Sequence, residues 1–309
     1  MISILTSDFM LRALVAAFLT GLAAPAVGTF LVQRRLSLLG DGIGHITVTG
    51  VAVGILTGTS PTWTAILAAV IGALLIEAIR ATGRTSGDVA LALLFYGGIA
   101  GGLVLVSRAG NGMYSMQQYL FGSITSLSDQ DVWVSVILAG AVLLLTFSLL
   151  PQLFAVASDE SYAKTLGLPV WLYSVIISVL AAVSVSVAMR TVGLLLVSAL
   201  MIIPVATTQQ FARSFKQTMF TAMGVGAAAG LLGVSITAFL DAPPGATIVL
   251  VSLAGFAVTS PVGLFVQRRR RALLPFPDEG RVNLPVDDHP DEPHRHIHGP
   301  GCGHLAIEH

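Results

Sequence analysis

The sequence predicts an all-α protein, a polytopic transmembrane helical bundle of about nine spans (eight to nine, depending on how one interrupted stretch is read) with a disordered C-terminal tail. Three observations carry that expectation. Apolar residues make up 54% of the 309-residue chain and charged residues only 10%, with a mean hydropathy of +0.84, so there are too few polar groups to cover a water-facing surface. The apolar residues fall in runs of about 20, the length of a helix across a bilayer core. In lipid every backbone N–H and C=O must be paired within the protein, which leaves helices or closed barrels, and runs of this length select helices.

Splitting the runs at charges, Pro/Gly clusters and polar turns gives spans near 9–31, 37–58, 62–82, 89–107, 131–152, 169–189, 191–211, 216–240 and 245–266. Met1 to Asp8 lack the basic segment and cleavage site of a signal peptide, so the first helix is expected to be retained. The second and third spans are joined by a short polar turn at 59–61. The turn at 189–191 is equally short, so a count of eight, with one of these two pairs read as a broken helix, is also open. Pro204 is expected to kink the seventh span and free a carbonyl. Before the ninth span, Asp241-Ala242-Pro243-Pro244-Gly245 reads as a tight turn. The pairs Gly97/Gly101, Gly98/Gly102 and Gly226/Gly230 have close-packing spacing, expected to serve packing inside one bundle.

Positive charge favours cytoplasmic loops. Arg34, Arg35, Arg80, Arg84, Lys164, Arg213, Lys216 and Arg268 to Arg271 fall on one side of a nine-span chain, against Arg108 and Arg190 on the other. This places the C-terminus in the cytoplasm and the N-terminus outside. The chain divides into a membrane domain, 1–267, and a tail, 268–309, that is basic and then His-rich. The prolines and charges of 272–309 predict disorder. The zero net charge and its uneven distribution give no nucleic-acid reading, and the single cysteine, Cys302, excludes an internal disulfide.

Ionisable groups inside a span are costly and tend to face a pathway. Asp41 and His45 stand four residues apart near the start of the second span, which stacks them on one helix face, and a carboxylate and an imidazole can converge there on one ion. Spacing alone leaves open a structural Asp–His hydrogen bond or a hydrated interfacial pair. Gly40, Gly42 and Gly44 mimic a nucleotide loop, but no strand precedes them; they suit close approach of another helix or an ion. Glu77 and Arg80, one turn apart at the end of the third span, read as a snorkelling ion pair. In the tail, His294, His296, His298, Cys302 and His304 suit zinc, nickel or copper better than magnesium or calcium. There is no Walker A motif, and Lys164 and Lys216 are the only lysines, so ATP is not bound through a P-loop; His-Glu-x-x-His and Gly-x-Ser-x-Gly are also absent.

Several stretches, in order, resemble the ABC-transporter permease family that imports zinc, manganese or iron. They are Leu31-Val32-Gln33-Arg34-Arg35-Leu36-Ser37-Leu38-Leu39-Gly40-Asp41 with His45; Tyr119-Leu120-Phe121-Gly122-Ser123-Ile124; Asp159-Glu160 through Ala163 to Leu166-Gly167-Leu168-Pro169; Val192-Gly193-Leu194-Leu195-Leu196-Val197-Ser198-Ala199-Leu200 to Ile203-Pro204; and Asp241 to Gly245-Ala246-Thr247-Ile248-Val249-Leu250. Ile43-Gly44 and Thr49 depart from the family's common residues. The resemblance implies a non-enzymatic permease of the bacterial inner membrane with no permanently bound cofactor, carrying zinc, manganese or iron. It also implies two cytoplasmic ATPase subunits, an extracytoplasmic metal-binding protein and a second permease copy, most simply a homodimer. The family's metal-contacting acid and histidine fall on Asp41 and His45, and its outer-turn acid on Asp241. Asp159, Glu160, Ala163, Leu166 and Gly167 fall on the helix that couples to the ATPase. A proton-coupled secondary transporter, in which Asp41 or Asp241 would titrate, is the alternative.

Overall fold

Small residues decide which helices sit at the centre. A computed structural model of the chain describes residues 7–82, 87–109, 112–123, 127–194, 196–240 and 242–272, and the side chains of those residues apart from 87–88, 113–115 and 264–272. The first helix, α1 (Asp8–Gln33), carries an Ala- and Gly-rich surface, with Ala13, Ala16, Ala17, Gly21, Ala24 and Gly28 all buried. Then come α2 (Leu39–Thr57), α3 (Pro61–Ala81), α4 (Gly87–Ser107) and a ten-residue α5 (Gly112–Phe121). After them are α6 (Asp129–Ser148), α7 (Leu150–Ser158), α8 (Glu160–Thr165), α9 (Val170–Ala188), α10 (Val197–Gln209), α11 (Phe215–Leu240) and α12 (Pro244–Ala272). Packing divides the chain into two units, Met1–Gln267 and Arg268–His309, and the helices that build the site belong to the first.

Glycines let the central helices touch backbone to backbone, where lipid supplies little hydrophobic drive between helices and van der Waals contact has to hold them. A methyl group on Gly230 of α11 would stand 2.8 Å from the Ala17 carbonyl of α1, and one on Gly226 would run into Gly21. Gly98 and Gly102 of α4 lie in the same manner against His45 and Val48 of α2. Both pairs therefore serve packing within one chain, as their spacing predicts, whereas of the third pair Gly101 meets the Thr49 side chain and Gly97 meets nothing among the described residues. The outer faces of α3, α4, α6 and α12 carry exposed Leu67, Leu93, Ile137 and Val258, the pattern of helices whose remaining neighbour is lipid or another chain.

Eight of the described helices, α1 to α4, α6, α9, α11 and α12, are long and apolar enough to cross a membrane. The expected seventh span differs. Its helix is α10, only 13 residues long, and the stretch before it is irregular. Gly193 takes φ +88°, and the Leu194 N–H donates to the Tyr119 carbonyl at the end of α5 at 3.0 Å. The Ser123 N–H donates to the Arg190 carbonyl at 3.2 Å. Irregular backbone of this kind is tolerated inside a membrane protein where other protein segments satisfy it. Helix α5, which the hydropathy pattern did not single out, supplies that partner. Gly122 and Gly193 cross so closely that a side chain on either would strike the other's backbone segment.

Ion pairs mark the two ends of the bundle. Arg12 Nε meets Asp129 Oδ1 at 2.7 Å and Arg190 Nη2 meets Asp131 Oδ2 at 2.8 Å, which gathers the starts of α1 and α6 and the end of α9. At the opposite end Arg34, after α1, pairs with Glu160 of α8. Glu77 and Arg80 do form their ion pair, at 2.8 Å, but not as a snorkelling surface pair. Glu77 is buried, and the hydroxyl of Ser178 on α9 donates to the same Oε1 at 2.7 Å. Packing of α9 over the end of α3 removes it from water.

Candidate functional site

Asp41 lies in the first turn of α2, where the free N–H groups and the helix dipole favour a carboxylate. His45 follows one turn later. Its Nε2 is 3.8 Å from Asp41 Oδ1, with side-chain exposures of 10% and 30% respectively. That separation is too long for a hydrogen bond. Two ligand atoms each about 2.1 Å from a shared ion stand roughly 3–3.5 Å apart, so a small side-chain rotation suffices for both to reach one cation. The pair is thus side by side, with no direct hydrogen bond between its members.

The surroundings hold the two groups from different sides. The ring of Phe95 on α4 meets the imidazole edge-on, with centroids 4.1 Å apart. α4 reaches that position because Gly98 has no side chain: a methyl group there would lie 2.6 Å from the His45 carbonyl. On the other wall Ser198, in the first turn of α10, donates from Oγ to Asp41 Oδ1 at 3.3 Å. α10 comes that close over Gly40, whose missing side chain faces Ser198 and Met201. Gly44 faces the Leu194 carbonyl of the irregular stretch. The glycines of the Gly40-Asp41-Gly42-Ile43-Gly44 run therefore admit neighbouring side chains at Gly40 and Gly42 and backbone at Gly44. A cavity of about 310 Å³ opens from Asp41 past Leu91 and Phe95 to the exposed side chains of Leu38 and Tyr96.

Among the described residues no group of three or more His, Cys, Asp and Glu gathers, so the metal-capable side chains brought together here are one carboxylate and one imidazole. Ser198 and Phe95 were not identified from the sequence as site residues. Ser198 stands inside the Val192 to Leu200 stretch, and that was its only signal. Asp241, His294, His296, His298, Cys302 and His304 lie outside the described residues.

The residues of the α8 region divide by role. Asp159 caps the helix, its Oδ1 accepting from the Ser161 N–H at 2.8 Å and the Tyr162 N–H at 3.0 Å. Ala163 is fully buried beside Val156 and Val170, so it anchors the segment instead of facing outward. Leu166 is exposed, as is Tyr162. Gly167, at φ +76°, ends the helix in a left-handed turn that few other residues adopt.

Comparison with known proteins gives a consistent picture. Residues 6–262 match the model of the ABC 3 transport family. The manganese import system permease protein ScaB of Streptococcus gordonii is 31% identical over 265 residues, covering 86% of this chain and 94% of ScaB. A Haemophilus influenzae protein named "Probable iron transport system membrane protein" is 28% identical over 267 residues, covering 85% of this chain and 94% of its own length. Among solved structures, PsaBC from Streptococcus pneumoniae in complex with Fab superposes with a TM-score of 0.78 at 30% identity, covering 87% of this chain and 98% of the matched one. The chain belongs to the ABC 3 transport family, as a multi-pass membrane-spanning permease subunit of an ATP-binding-cassette transporter and not as an enzyme in its own right.

Proposed function

We propose that the chain carries a divalent transition metal ion, manganese, iron or zinc, into the bacterial cytoplasm, with Asp41 and His45 as the ion's contacts within the membrane. The observation that carries this reading is the unclosed pair on one face of α2, Asp41 Oδ1 and His45 Nε2 3.8 Å apart beside an open cavity. One oxygen and one nitrogen donor suit all three metals, and the relatives' names include manganese and iron. A dehydrated cation is stabilised there by the Asp41 charge, while Ser198 orients the carboxylate from α10. Because α2 carries both contacts and α10 orients one of them through Ser198, relative movement of the two helices would alternately form and open the contact.

Energy comes from a separate cytoplasmic ATPase, and delivery from an extracytoplasmic metal-binding protein. A second permease copy covers the exposed face of the bundle. The end that carries Arg34, Arg35, Arg80, Lys164, Arg213 and Lys216 faces the cytoplasm. Asp241 is a further contact on the way in, and the tail histidines with Cys302 capture released metal. Family membership locates the power source in a partner chain, which leaves the proton-coupled alternative without support. The test is uptake of labelled manganese, iron and zinc by proteoliposomes holding the permease with its ATPase and binding protein. ATP-dependent uptake of at least one metal, lost in Asp41→Ala and His45→Ala, is the expected result; wild-type uptake by both variants overturns it.

A further inference from the structure

We infer that Arg34 is a buried positioning residue through which movement of α8 reaches the first turn of α2, so that the Arg34–Glu160 pair carries that movement to the turn that holds Asp41. The inference deepens the importer reading and rests on it. Arg34 follows α1 directly, and its side chain is only 4% exposed although arginine does not lose its charge. Its Nη2 donates to Glu160 Oε1, and its Nη1 is buried without a hydrogen-bond partner. A guanidinium buried this far depends on its one carboxylate, because breaking such a pair leaves an uncompensated charge. Glu160, in contrast, is 48% exposed.

The location of the pair distinguishes it from an ordinary structural ion pair. α8 is six residues long, and its apolar side packs through Ala163 into a small cluster with Val156 and Val170, separate from the main core. Among the described residues, Arg34–Glu160 is the polar link between α8 and the α1–α2 turn. That turn is stiff. The Arg34 N–H donates to the Phe30 carbonyl, Arg35 to Val32, Leu36 to Leu31, Leu39 to Leu36 and Gly42 to Leu38, with Arg35 at φ +58° reversing the chain. A pull on the Arg34 side chain is therefore passed to the turn that holds Asp41 and cannot be absorbed by slack. Asp41 in turn meets Ser198 on the opposite wall. Tyr162 and Leu166, 59% and 55% exposed, are the side chains of α8 and its end on which a soluble motor can press.

The test uses the permease assembled with its ATPase and binding protein in proteoliposomes, with Mn²⁺ as cargo, and reads Mn²⁺ moved per ATP hydrolysed together with Mn²⁺ binding. Arg34→Gln and Glu160→Gln are each expected to lower the ratio about fivefold or more with Mn²⁺ binding unchanged within about twofold, and the double variant is expected to be no worse than the worse single. Losses that multiply in the double variant would mean that Glu160 acts on the ATPase independently of Arg34 and would overturn the inference, as would a wild-type ratio in either single. Arg34→Lys keeps the buried charge and loses the planar fork: normal assembly by size exclusion with a reduced ratio supports the inference, and normal assembly with a wild-type ratio overturns it. Asp41→Ala in the same assay separates the two readings. Wild-type uptake there overturns the importer reading itself, whereas loss of uptake in Asp41→Ala beside wild-type ratios in the Arg34 and Glu160 variants overturns the positioning role alone.

Discussion

Two acid–base pairs at helical spacing, Asp41/His45 on α2 and Glu77/Arg80 on α3, began from similar sequence signals and ended in opposite environments. Glu77 is closed on itself: Arg80 at 2.8 Å and Ser178 at 2.7 Å share one carboxylate oxygen, and the acid is 95% withdrawn from solvent with its side chain only 5% exposed. Asp41 and His45 remain 3.8 Å apart, with an oxygen that faces an open cavity and a single 3.3 Å bond from Ser198. The difference teaches that burial of charge alone does not mark a transport site. A buried pair closed by direct hydrogen bonds is a fastening, whereas a pair held in place without a direct bond between its members keeps coordination capacity for a cation.

The strongest way to break the comparison is to remove the open pair. Asp41→Ala and His45→Ala are each expected to abolish metal uptake while the protein still inserts and assembles, measured as ATP-dependent uptake normalised to assembled complex. Retained uptake in both would make α2 no different from α3. Next in size, Glu77→Ala leaves Arg80 without its acid and Ser178 without its acceptor. Truncating one member of such a pair costs about 3–5 kcal/mol. The expected reading is a lower thermal midpoint and less assembled protein, with uptake per assembled complex kept within about twofold. If uptake per complex fell as far as in Asp41→Ala, Glu77 would belong to the pathway.

Ser198→Ala sharpens the comparison from the other wall. It removes one hydrogen bond to a charged oxygen, an interaction worth about 1.5–3 kcal/mol at ordinary length and less at 3.3 Å. A rise of roughly three- to tenfold in the metal concentration for half-maximal uptake is expected, with assembly unchanged; no change in that concentration would leave Ser198 as packing only. The smallest effect is expected from the tail. Truncation after Arg271 should leave uptake at low external metal at the wild-type rate, because His294, His296, His298, Cys302 and His304 carry the same ligand chemistry outside the membrane unit. A peptide spanning Asp287 to His309 should bind zinc in calorimetry at neutral pH. Since imidazole coordinates only when neutral, that binding should weaken as pH falls below about 6.5. Absence of binding at neutral pH would make the histidines a solvated tract.

The helices that run the full width of the bundle were legible because their signal is local: an apolar run of about 20 residues is a span whatever surrounds it. The seventh span was legible only in part. Short turns at 59–61 and 189–191 both allowed a broken helix without saying which, and the irregular stretch exists because α5 comes back to pair with it, a contact between residues such as Tyr119 and Leu194 that no local pattern contains. The same division runs through the site. Asp41 and His45 could be paired from their spacing on one helix, while Phe95 and Ser198 arrive from α4 and α10.

By itself, then, the sequence determined that this chain is a helical membrane protein, where most of its helices lie, and which acid and histidine share a face, because composition and the 3.6-residue period act over short stretches of chain. Tertiary structure alone decided that Glu77 is buried under Ser178, that Ala163 anchors α8 while Leu166 faces out, and that Arg34 is buried against Glu160. The reason is physical. Whether a polar group is satisfied, exposed or left open depends on which distant backbone its neighbouring glycines allow to approach, and at Gly44, Gly98 and Gly122 that approach is made by helices and turns far away in the chain.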